Sequence, residues 1–164
     1  MRAMPAAGPS GPGAGATQDP VCGTVLAFDF GTKRIGIAVG ETATGIASPL
    51  GAVEGEANAA RFARIDAIVA EWKPAAFVVG RPRHSDGSPH EVARLAQKFG
   101  RRLGARFRLP VFYVDETLTS ATAESQLEHA RTRERRPGDV DALAATYILQ
   151  SWFDSPEAHG ETAA

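Results

Sequence analysis

Three carboxylates stand where a sheet would bring the ends of its strands together: Asp29, Glu116 and Asp141. Asp29 lies inside the apolar run Val25 to Phe30, where an ionised carboxylate is costly unless it is paired or bound to a metal. Alternation along a strand sends its neighbours Phe28 and Phe30 to the opposite face. Glu116 follows the apolar run Val111 to Val114, and Asp141 falls in the first turn of a helix expected from about Val140 to Phe153. Clustered acids repel one another unless a cation neutralises them, and oxygen ligands suit Mg²⁺, with Mn²⁺ as a substitute. Two such ions about 4 Å apart activate a water and stabilise the leaving oxygen in phosphodiester hydrolysis. Each acid also has a plainer role. Asp29 can accept backbone N–H groups in its own turn, and Glu116 can be ordinary loop chemistry. Asp141 can favour the helix dipole, with Asp139 as N-cap. The conjunction of the three points to a metal site.

Bases lie near two of the three acids in the sequence, and two more flank a separate loop. Lys33 and Arg34 follow Asp29 in a hairpin turn and could touch phosphate. Arg81 and Arg83 flank a loop at the carboxyl end of a strand, where α/β proteins place their sites. Arg131, Arg133, Arg135 and Arg136 form a basic run just before Asp141, suited to a nucleic-acid backbone or to a solvated loop. His84 and His90 have no ligand spacing with Cys22 or a third His, so zinc is not indicated.

The elements that must position these groups follow from periodicity. Val25 to Phe30 and the alternating stretch through Ile35, Ile37 and Val39 predict a hairpin across Gly31-Thr32. Ala47 to Val53 predicts a third strand, with Pro49 at an edge or bulge. Ala57 to Lys73 predicts a helix with Phe62, Ile65, Val69 and Trp72 on one face, stopped by Pro74. Ala75 to Gly80 is a short buried strand. Ser88, Pro89 and Glu91 open a helix whose stripe is Val92, Leu95, Ala96, Phe99 and Leu103, with Gly104 as its C′ residue. Val111 to Val114 is another strand, and a helix from Thr119 or Ser120 to about Ala130 follows. Val140, Leu143, Ala144, Tyr147, Ile148 and Trp152 form one face of the last helix. Three strands followed by alternating helices and strands predict an α/β fold with a mixed sheet, an antiparallel meander leading into parallel strands.

Bulk properties bound the reading. The 164 residues are 43% apolar and 23% charged, enough for one domain with a core. No apolar run reaches the length of a membrane span. Residues 1–23 are rich in Gly, Ala and Pro and are expected to be a disordered leader. The domain is expected over 24–154, with 155–164 as a disordered tail. The lone Cys22 fits a reducing cytoplasm. Net charge is −1, but Thr24–Phe153 holds 17 bases against 15 acids, so any polyanion must be bound by local patches.

Four motifs in order resemble the YqgF/RuvX family, a branch of the RNase H-like superfamily related to RuvC-type Holliday-junction resolvases. They are Asp29-Phe-Gly-Thr-Lys-Arg-Ile-Gly-Ile-Ala, Gly80-Arg-Pro-Arg-His-Ser-Asp-Gly-Ser, Val114-Asp-Glu with Leu118-Thr119-Ser120, and Val140-Asp-Ala-Leu-Ala-Ala with Ile148-Leu-Gln. The resemblance covers about Val25 to Phe153. It implies an RNase H-like fold with a five-stranded sheet and makes Asp29, Glu116 and Asp141 the metal-binding catalytic acids. Thr117 departs from the pattern, since the family usually has Arg after the Glu. The implied activity is a metal-dependent nuclease acting in 5′-end processing of pre-16S rRNA, with branched DNA as the rival substrate. Two other readings are a non-catalytic nucleic-acid-binding module and an actin- or sugar-kinase-like ATP-binding protein. The latter is disfavoured because this chain has room for one such domain, not two.

Overall fold

In the computed structural model, residues 21–55, 57–81, 90–115 and 137–155 are described. Strand β1 (Thr24–Asp29) lies at the centre of the sheet because its residues are buried on both faces, as Val25 to Phe28 are fully. It pairs antiparallel with β2 (Arg34–Glu41), which pairs antiparallel with β3 (Ile46–Glu54). On its other side β1 pairs in parallel with β4 (Ala76–Arg81), and β4 with β5 (Val111–Asp115). The order is β3-β2-β1-β4-β5, the mixed five-stranded sheet expected from the sequence. Pro49 sits on the edge strand β3, beside a register shift between Ile37 and Ala38 of β2, so it interrupts no central ladder.

Alternation splits the core into two layers. Leu26, Phe28, Ile35, Ile37, Phe77 and Val79 face helices α1 (Asn58–Trp72) and α2 (His90–Phe107). Phe99 of α2 is the hub of that layer, with ring centroids 5.3 to 5.7 Å from Phe30, Phe28 and Phe62. Val25, Ala27, Ala38, Val78, Phe112 and Val114 face the last helix, α3 (Pro137–Asp154), whose Trp152 lies 5.1 Å from Phe112. Each large side chain buried in these layers contributes about 1.5–3 kcal/mol.

Three sequence expectations shift. Helix α3 begins at Pro137, so Asp139 is inside the first turn rather than its N-cap, and Asp141 lies one turn in. Its buried face is Ala142, Ala145, Ile148, Leu149 and Trp152, while Val140, Leu143, Ala144 and Tyr147 are half-buried. The rotation follows from β2, whose Gly36, Ala38 and Gly40 admit a closely seated helix with small residues toward the strand. Helix α2 runs past Gly104 to Phe107. Its left-handed cap is Arg108 (φ 58°), whose N–H donates to the Gly104 carbonyl. Gly104 serves packing instead, since a Cβ there would lie 3.2 Å from the Val111 side chain. The Ser88–Pro89 cap and the helix expected from Thr119 to Ala130 lie outside the described residues, as do residues 1–20 and 156–164. Val21, assigned to the leader from sequence, packs on the α3 layer, and Gly23 donates to Thr42 Oγ1 at 2.9 Å.

Candidate active site

The register assembles one end of the sheet. Asp29, the last residue of β1, pairs with Gly36 on β2 and Gly80 on β4. Paired residues share a face, so the half-buried Asp29 stands on the α3 side between two neighbours without side chains. A Cβ added to Gly36 would lie 2.0 Å from the carbonyl oxygen of Asp141 and 2.3 Å from its carbonyl carbon. The backbone of α3 therefore crosses β2 at the residue opposite Asp29, and this contact brings Asp141 to the same end of the same face.

Asp141 is held by Arg34, whose Nε donates to Oδ2 at 2.6 Å. That bond and the Asp141 charge raise the Arg34 guanidinium above its ordinary value; burial opposes this and Glu54 adds to it. On the α1/α2 side of the same sheet end, Arg81 Nε donates to Asp115 Oδ1 at 3.0 Å, and its guanidinium lies 5.5 Å from the Tyr113 ring. Burial raises the Tyr113 phenol, and the charges of Arg101 and Arg81 pull it back. Lys33 is exposed and in no ion pair among the described residues. Glu116, Arg83, Arg133, Arg135 and Arg136 lie outside the described residues; Glu116 is the next residue after Asp115, where β5 ends at this edge.

Two residues escaped the sequence reading. Gly36 carries no apolar signal of its own, although the run of small residues Gly36, Ala38 and Gly40 on one strand face admits a closely seated helix. Arg61 falls in the polar background of α1, yet it is 3% exposed. Its Nε donates to the Gly55 carbonyl at 2.7 Å, and its Nη2 to the carbonyls of Gly31, at 2.8 Å, and Thr32. It also lies 5.5 Å from the Phe30 ring. Arg61 thus ties the turn after Asp29 to the end of β3. Arg61→Met is expected to destabilise the fold by about 2–4 kcal/mol, because the carbonyls of Gly31, Thr32 and Gly55 lose a charged donor that ties the turn together. Arg61→Lys should recover part of that. Urea denaturation would measure both, and an unchanged midpoint in Arg61→Met would show that the turn holds itself.

A family model for RuvX, described as Holliday junction resolvase, matches residues 23–155. The chain belongs to the RuvX family. Among curated relatives, a protein of Dechloromonas aromatica named "Putative pre-16S rRNA nuclease" is 56% identical over 135 residues, covering 82% of this chain and 92% of that one. A relative of the same name from Thiobacillus denitrificans is 53% identical, covering 81% and 92%. Among solved structures, Thermus thermophilus RuvC in complex with a Holliday junction superposes with TM-score 0.55 at 19% identity, covering 85% of this chain and 99% of that one. The yeast mitochondrial resolvase Ydc2 gives 0.51 at 11%, covering 82% and 78%. These two likenesses establish that the RuvX chain has the RNase H-like resolvase fold.

Metal donors can be tested against this geometry. Asp29 and Asp141 offer hard carboxylate oxygens on one face, the donor class that suits Mg²⁺ or Mn²⁺. No group of three metal-ligating side chains forms among the described residues. The chemistry of these two acids fits such an ion; Glu116 lies outside the described residues.

Proposed function

We propose that this RuvX-family protein is a metal-dependent nuclease, a hydrolase of phosphodiester bonds, whose catalytic acids are Asp29, Glu116 and Asp141. The observation that carries the reading is the seating of the Asp141 backbone against Gly36, the residue paired with Asp29. That backbone contact puts two acids distant in sequence at the same end of the sheet. Bound Mg²⁺ would supply Lewis-acid stabilisation and an activated water. The chain's own part is to hold the acids at the sheet end and to offset their charge with Arg34. Lys33, Arg34 and Arg81 at this edge, with Arg83, Arg133, Arg135 and Arg136, would contact substrate phosphates.

The substrate reading follows the relatives, whose shared name refers to pre-16S rRNA, so 5′-end processing of that RNA in the cytoplasm is the first assignment. Branched DNA is the second, from the family description. Among the described residues no helix is long and apolar enough to cross a membrane. The test is to incubate the protein with Mg²⁺ or Mn²⁺ and either a precursor RNA carrying the 5′ extension or a four-way DNA junction. Cleavage of the RNA with the junction intact is the expected result. Preferential cleavage of the junction would transfer the assignment to DNA. If neither is cut while both are bound, the protein is a binding module.

A further inference from the structure

Helix α2 and its cap, residues 90–108, carry six of the chain's 18 Lys and Arg against a single acid, Glu91. Their spacing is that of one helix face. Arg94, Lys98, Arg101 and Arg102 fall along the side opposite Ala96, Phe99 and Leu103, which are buried, and Arg108 caps the helix. Two of the six cations are already engaged: Arg94 with Glu91 at 2.7 Å and Arg106 with Asp66 at 2.6 Å. Lys98, Arg101, Arg102 and Arg108 are exposed and make no ion pair among the described residues. At 1.5 Å per residue they span about 15 Å, the rise of about four base pairs. In a chain of net charge −1, this concentration of unneutralised charge on one helix is a local feature.

The stripe starts with Lys98 toward the site end of the sheet and runs away from it through Arg101, Arg102 and Arg108. A Cβ on Gly104 would touch Val111 at the start of β5, and one on Gly100 would meet the Tyr113 hydroxyl. Tyr113 Oη donates to the Gln97 carbonyl at 2.9 Å. Helix α2 therefore runs antiparallel to β5, and its N-terminal half lies at the sheet end that holds Asp29 and Arg81. Arg81 stacks on the same Tyr113 whose hydroxyl feels the Arg101 charge. Basic charge thus runs from the edge of the site onto α2, on the sheet face opposite Asp29.

We propose that the solvent face of α2 is a docking surface for the phosphate backbone of the nucleic acid flanking the cleaved bond. It rests on the nuclease reading for its partner. A substrate that meets both α2 and Asp29 must bend over the carboxyl edge of the sheet, which a folded or branched nucleic acid does more readily than a straight duplex.

The test compares the full-length protein with a Lys98→Gln/Arg101→Gln/Arg102→Gln variant. Binding of an RNA hairpin and of a 30-base-pair DNA duplex is measured without divalent metal between 50 and 200 mM salt. The variant is expected to bind about tenfold or more weakly at low salt. Its slope of log affinity against log salt on the duplex should fall by about 0.9 per lost phosphate contact. Arg106→Gln, whose guanidinium is already held by Asp66, should leave the slope unchanged. With metal present, KM for a long substrate should rise while kcat and the hydrolysis of bis-p-nitrophenyl phosphate, too short to reach α2, stay the same. Wild-type affinity and slope in the triple variant would overturn the docking surface and leave the nuclease reading standing. If the variant loses salt-dependent binding but the wild type cleaves nothing with Mg²⁺ or Mn²⁺, the surface stands and the nuclease reading falls. If the wild type binds neither probe but hydrolyses the small ester, the surface falls alone.

Discussion

Asp29→Asn is expected to lower cleavage about 10³-fold or more while leaving the protein folded. That factor is about 4 kcal/mol of transition-state stabilisation, the scale on which a metal site assists phosphodiester hydrolysis. Asn keeps the shape of the side chain between Gly36 and Gly80 and removes only the charge that would attract the ion. Asp141→Asn and Glu116→Gln should have comparable effects, and double variants should be little worse than singles, because the acids act as one unit. Misfolding is a poor alternative explanation for Asp141→Asn. The Arg34 pair that it would lose is partly exposed, 37% and 25%, and worth about 1 kcal/mol or less. A readout independent of turnover comes from thermal melts. Mn²⁺ at about 100 times its dissociation constant should stabilise the wild type by roughly 2.7 kcal/mol, and Asp29→Asn by much less. Single variants within tenfold of wild type, with no Mn²⁺ shift in the wild type, would remove the metal site. A near-normal Glu116→Gln alone would remove only Glu116 from it.

The strands and the family motifs were legible because both are written locally. The period-two alternation of β2 and the apolar run of β1 specify pairing without help from the rest of the chain. Asp29 stood out because it breaks an apolar pattern, and its place at a strand end followed. Asp141 was legible as a family motif, but not the reason for its position. That reason is a backbone contact between α3 and Gly36, and sequence periodicity describes side chains. The same contact explains the misjudged face of α3: the 3.6-residue pattern favoured the larger Leu143 and Tyr147, while close seating on Gly36 and Ala38 selected Ala142 and Ala145. Arg61 was invisible for another reason. A single arginine in a mixed helix is ordinarily solvated, and only the approach of the Gly31 and Gly55 loops turns it inward. The basic face of α2 was present in the spacing all along. The apolar stripe of the same helix accounts for the fold, so periodicity leaves these basic positions as ordinary solvent face.

Gly36→Ala is expected to cost about 3 kcal/mol or more and to abolish most cleavage. A methyl group at that position would lie within 2.0 to 3.0 Å of the carbonyl oxygen and carbon of Asp141 and the nitrogen of Ala142. All three belong to helix backbone, which cannot rotate away as a side chain can, so α3 must lift from β2. Lifting it loosens Ile148, Leu149 and Trp152, which close the core on that face. Overpacking a tight contact costs about 1–3 kcal/mol even where side chains can adjust. The melting temperature should fall by roughly 10 °C or more, since each kcal/mol moves it by about 2–8 °C for domains of this general size. Gly45→Ala separates crowding from backbone strain. Gly45 has φ +66° and open space around its Cβ, so alanine there should cost about 1–2 kcal/mol and leave cleavage intact. Activity should then track the position of Asp141 rather than stability. The decisive comparison is made well below both melting temperatures, where each variant is fully folded. Cleavage lost in Gly36→Ala and kept in Gly45→Ala would tie catalysis to the seating of α3 on β2. Equal activity in the two variants would mean that the Asp141 position, however it is held, does not govern the reaction.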